Sequence, residues 1–147
     1  MLAAVEPLTS EQLMRDMGNS FRSVRDTLAH IYFAEWVWLS RWQGESPTSP
    51  LPPDMFPDLA TIRKTWLEHE GKLRAFLDGL GEQGINRVVQ YKLLNGQPGT
   101  SAFWPMLQHV VNHGTYHRGQ VTTMLRQLGA APPRSTDLIT FYRERAG

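Results

Sequence analysis

The chain has 147 residues, no cysteine, 15 Lys and Arg against 14 Asp and Glu, and 41% hydrophobic residues. That length predicts one domain over residues 1–147 with a core of its own. Zero cysteines exclude a disulfide scaffold, a Cys zinc ribbon and a cysteine nucleophile. A formal charge of +1 gives no broad attraction to nucleic acid or to anionic membrane, and neither is expected as a partner. No apolar run is long enough to span a bilayer, and Met1–Glu6 lack the basic start and apolar stretch of a signal peptide. A cytoplasmic globular protein is therefore expected.

Thr9 and Gln12 have capping-box spacing and predict a short helix over 10–17. Residues 22–43 carry Val24, Leu28, Ile31, Trp38 and Trp42 at three- and four-residue steps. Ala34 and Val37 flank that stripe, so this helix is apolar over much of its circumference and expected to be buried. Ser46–Pro53 reads as a loop, because prolines remove donors and bias the preceding residue away from helix. A second long helix follows at 58–80, with Asp58 as N-cap and a seam of Leu59, Ile62, Trp66, His69, Leu73, Phe76 and Leu80. Residues 85–93 read as an extended segment, a small hairpin or an irregular loop, before the turn Asn95–Gly99. The third long helix is predicted over 103–128, with Pro105 in its first turn, where a missing N–H costs little. Gly129 and Pro132-Pro133 end it, and 137–144 predicts a last short helix. Three long amphipathic helices plus shorter ones predict an all-α helical bundle.

Three of the five histidines fall in one string, His109-Val110-Val111-Asn112-His113-Gly114-Thr115-Tyr116-His117-Arg118-Gly119-Gln120. On an α-helix, four residues turn about 400° and rise about 6 Å, so His109, His113 and His117 line one side. An i, i+4 pair can offer two imidazole nitrogens to one metal ion. Gly114 stands where a zinc protease of the HExxH type carries its Glu, which excludes that class. A third ligand must come from another helix. His30 is the candidate, because it sits mid-helix among Thr27, Ala34 and Val37. Such a three-His set with an open fourth position suits Zn²⁺, Ni²⁺ or Fe²⁺. His109 is read as a packing residue or a support for a ligand, since three ligands from one straight helix would strain the geometry. His69 is read as a structural residue facing its helix seam. Glu35 lies about 140° around the helix from His30 and is given no catalytic role. Arg118 is left open between a site residue and an exposed ion pair. Gln120 is read as a packing or ligand-supporting residue, and Trp36, Trp38 and Tyr116 as core aromatics.

Leu28-Ala29-His30-Ile31 with Glu35-Trp36 and Trp38, then His113-Gly114-Thr115-Tyr116-His117-Arg118-Gly119-Gln120, then Thr136-Asp137-Leu138-Ile139, resemble the DinB-like family of bacterial metal-binding helical bundles. The resemblance runs from about residue 9 onward. It implies a four-helix bundle of up-down-down-up type, with metal held by His30, His113 and His117. It also implies a homodimer. The wider superfamily includes thiol-dependent transferases and isomerases that take a low-molecular-weight thiol as cosubstrate. In the family a helix of some twenty residues precedes the segment resembling Leu8–Leu13. Here Met1–Pro7 stand in that place, so the first helix is expected to be truncated, and its groove to be closed by a second subunit or by the C-terminal segment.

Two functions follow as expectations. One is a metal-dependent enzyme, a thiol S-transferase or a hydrolase. The alternative is a non-catalytic metal-binding protein of stress response, or a structural dimer.

Overall fold

In the computed structural model, which describes residues 1–52 and 55–146, the chain is mostly helical with one two-stranded sheet. Helices α1 (Leu2–Val5) and α2 (Ser10–Met14) lead into α3 (Val24–Trp42) and α4 (Leu59–Asp78). A short α5 (Gly81–Gly84) precedes strands β1 (Val88–Lys92) and β2 (Pro98–Ala102), then α6 (Phe103–Gln127) and α7 (Leu138–Ala146). The predicted long helices agree with α3, α4 and α6 to within two residues at either end. Helices α1 and α5 carried no signal, because four residues are too few to show a period. The loop expected at Ser46–Pro53 is seen through Pro52, and Pro53 lies outside the described residues. Among the described residues no helix is long and apolar enough to cross a membrane.

The helix starts are satisfied locally. Thr9 and Gln12 form the reciprocal capping box of α2. Ser23 Oγ accepts from the Asp26 N–H at 3.1 Å, and Asp58 Oδ1 accepts from the Thr61 N–H at 2.7 Å. Helix α6 has no capping side chain, since its N-cap is Ala102. Instead the Phe103 and Trp104 N–H groups donate to the carbonyls of Arg87 and Ile85, and Pro105 has no N–H to satisfy. The hairpin approach thus does for α6 what Thr9, Ser23 and Asp58 do for α2, α3 and α4.

Ring contacts give the helix directions. Along α3, His30, Trp38 and Trp42 meet His113, His109 and Phe103 in turn, so α3 and α6 are antiparallel. Tyr32 meets Trp66 and Trp42 meets Phe76, so α3 and α4 run the same way. A parallel pair needs a return of about 28 Å for a 19-residue helix. The connection from residue 43 to 58 has ample reach for that span.

The buried apolar residues form two clusters. One joins Val24, Leu28 and Tyr32 of α3 to Ile62 of α4, to Val121, Met124 and Leu125 of α6, and to Val5, Leu13 and Phe56. The other joins Leu39 and Trp42 of α3 to Phe103, Met106 and Val110 of α6, and to Val89 of β1. The β-hairpin caps this second end. Tyr91 faces Gly99 across the ladder, and its ring lies so close that a Cβ on Gly99 would stand 2.7 Å from it. Arg41 lies over the Trp38 and Tyr91 rings, pinning the hairpin to α3. Helix α4 buries only Ile62 and His69 of its expected seam, and α7 buries no residue at all.

Candidate metal centre

The gap between the two apolar clusters is where three imidazoles meet. His30 follows Leu28 on α3, while His113 and His117 lie between Val110 and Val121 on α6. Because α3 and α6 are antiparallel and pack closely, these positions fall at one level. His30 Nε2 stands 3.0 Å from His113 Nε2. One nitrogen from each of the three histidines lies within 4.8 Å of the other two. His117 is buried, and His30 and His113 are half-buried.

The donor set fits a divalent cation. Nitrogens bound tetrahedrally at 2.0–2.1 Å stand roughly 3.3 Å apart, so this cluster needs only a small contraction. Metal-binding imidazoles must be neutral. Burial pushes the His30 pKa down to about 4, helped by His117. Burial likewise pushes His113 down to about 4, with His117, His30 and His109 adding to the effect. His117 Nδ1–H donates to Gln120 Oε1 at 2.6 Å, which turns Nε2 and its lone pair towards the cluster. Gln120 Nε2 in turn points at the Tyr116 hydroxyl, 3.5 Å away. Above the cluster Phe21 stacks on the His30 ring at 4.0 Å between centroids and meets His117 edge-on.

The other histidines stay outside. His109 is exposed and packs against Trp38 and His113. His69 is buried beneath Tyr32, and its Nε2 has no hydrogen-bond partner among the described residues. Tyr116 corrects its reading as a core aromatic: it is 66% exposed, because 116 lies about 100° round the helix from the buried position 117. Arg118 forms no ion pair within 4 Å among the described residues. It folds back along α6 over Gly114, where a Cβ would stand 2.8 Å from its Nη1, and it donates to Thr115 Oγ1. Phe21 was given no role from sequence, since it lies in an irregular stretch with no period to read.

Glu35 faces α4, away from the imidazoles. Its Oε2 accepts from Trp66 Nε1–H at 2.9 Å. Burial raises its pKa, outweighing the Trp66 hydrogen bond and the attraction of Arg118. A carboxyl whose folded pKa lies above the unfolded value of 4.5 resists ionisation in the folded state. Its contribution to stability is therefore full below that value and lost as pH rises through the folded pKa. Glu35→Gln keeps an oxygen for Trp66 and cannot ionise. Urea titrations should show the variant gaining on the parent as pH rises above the unfolded value of 4.5. A constant or shrinking difference would contradict this account of Glu35.

A model of the DinB family matches residues 1–144. The chain belongs to the DinB family. It is also 26% identical over 145 residues to Protein DinB of Bacillus subtilis (strain 168), covering 93% of this chain and 83% of that protein. The His-x-x-x-His string and His30, on which the family resemblance rested, are the residues that converge in this DinB-family fold.

Proposed function

We propose that this DinB-family chain binds a divalent metal ion, Zn²⁺, Ni²⁺ or Fe²⁺, through His30, His113 and His117, and uses it in thiol-dependent group transfer or hydrolysis. The observation carrying this reading is the convergence of three imidazoles from two helices within 4.8 Å. Three protein ligands leave a fourth position for a small molecule. When bound, such a cation supplies Lewis acidity and lowers the pKa of a water or thiol that it coordinates. The chain's own residues hold His117 in one tautomer through Gln120, keep the other two imidazoles neutral, and shield one side with Phe21. On this reading α3, α4 and α6 are the last three helices of the up-down-down-up order. A homodimer belongs to the same proposal: Leu138 is 63% and Tyr142 59% exposed on α7, apolar surface of the kind a second copy covers.

One preparation tests these points. Elemental analysis of protein purified without an affinity tag should give about one divalent metal per chain. Light scattering should give twice the chain mass. A screen of low-molecular-weight thiols with electrophiles should show metal-dependent thiol consumption. No metal at all would sink the reading, and metal without turnover in that screen would favour a non-catalytic metal protein.

A further inference from the structure

Helices α3 and α4 flank a cavity of about 220 Å³. Tyr32, Trp36 and Ser40 line it from α3 at four-residue steps, on a face centred about 120° from His30. The imidazole cluster therefore lies round the helix from it. Glu68, His69 and Lys72 line it from α4, and Glu45 from the connection between the two helices.

The buried part of this lining is polar. Tyr32, Ser40 and His69 are each less than a tenth exposed, His69 only 3%. Among the described residues, neither hydroxyl makes a hydrogen bond to the protein, and neither does the His69 ring. Burial and the charge of Lys72 both lower the His69 pKa, so the ring is neutral and offers one donor and one acceptor. Buried polar groups are ordinarily hydrogen-bonded, so three left unmet in one cavity point to an occupant with donors and acceptors of its own.

The exposed rim selects which occupant. It carries Glu45, Glu68 and Lys72, and none of them forms an ion pair among the described residues. Glu68 and Lys72 stand four residues apart in the order that favours pairing on a helix, yet they stay separate. Two carboxylates suit an ammonium, and the Lys72 ammonium suits a carboxylate. Trp36 adds an aromatic ring, which attracts a cation to its face. A simple amine or a simple anion meets one sign of charge, and a neutral polyol meets neither. A cavity of roughly 150 Å³ admits benzene, so this one has room for a zwitterion of a few carbon atoms.

We propose that this cavity binds a free α-amino acid, its ammonium on Glu45 and Glu68 and its carboxylate on Lys72. The site is separate from the metal cluster, and the proposal does not rest on the metal reading.

Nuclear magnetic resonance tests it through the Trp36 indole N–H, assigned with Trp36→Phe. The full chain is titrated with L-valine, L-methionine and L-glutamine to about 20 mM, and a saturable shift is expected from at least one. For valine, 3-methylbutanoate and isobutylamine each lack one charge and should bind about tenfold more weakly or worse. Lys72→Gln and Glu68→Gln, both on the exposed rim, should each weaken amino-acid binding by a similar factor, with circular dichroism checking the fold. Because amino acids also chelate metals, the titration is repeated on His113→Ala, which should bind them as the parent does. Loss of the shift in a folded His113→Ala would place the amino acid on a metal instead and overturn the site. So would no saturable shift with any of the three, which means water alone in the cavity. Equal binding of the singly charged analogues or of D-glucose, or affinity retained in both rim variants, would overturn it too.

Discussion

His113→Ala should lower the affinity for Zn²⁺ by more than 100-fold, measured by competition with a chelating dye. His113 offers Nε2 at 3.0 Å from that of His30, and its ring contacts both other members of the cluster. Losing a group that merely orients a ligand costs 10–100-fold in metal affinity, and losing the ligand itself costs more. Gln120→Ala supplies that internal scale. It leaves all three imidazoles in place but frees the His117 ring, and should fall in the 10–100-fold range. His109→Ala is the control, since His109 is exposed and outside the cluster. If the His113 variant held zinc as tightly as the parent while His109→Ala lost it, the ligand assignment would be wrong.

Phe103→Ala should destabilise the fold by about 3–5 kcal/mol. Phe103 is fully buried where four elements meet. Its ring lies edge-on to Trp42 of α3 at 4.8 Å and near Phe76 of α4 at 6.1 Å, with the Arg87 guanidinium over it. Its N–H holds the hairpin approach through the Arg87 carbonyl. The alanine keeps that backbone bond, so the loss measured is the ring and the cavity it leaves. For a chain of this length the melting temperature should drop by about 10 °C or more. Urea unfolding of the metal-free protein gives the energy directly, and a change under 1 kcal/mol would mean that the hairpin end does not share the cooperative core.

A separation of effects follows from where these residues sit. Phe103 lies in the hairpin-end cluster and His113 at the gap between the clusters. Zinc affinity should respond to the second substitution and metal-free stability mainly to the first. The histidine gap is a place where the core gives up apolar packing for neutral imidazoles.

The residues that wrote their own structure are those with periodic or local signals. The three- and four-residue steps from Val24 to Trp42 and the seam from Leu59 to Leu80 marked two long helices. Thr9 with Gln12 and Asp58 marked helix starts, because a cap is a contact over three residues. His113 and His117 were legible as a pair because four residues on a helix return to the same face. Tyr116, one position away, was misread as core because residue type does not tell which side of α6 meets α3.

Chain order alone thus determined the helices, their caps and the two imidazoles that share α6. Only the folded arrangement decided that His30, 83 positions earlier than His113, reaches the same point, and that Phe21 closes over it. The physical reason is range. Periodicity and capping act over a few residues, whereas the level at which α3 meets α6 is set by packing two distant apolar clusters at once.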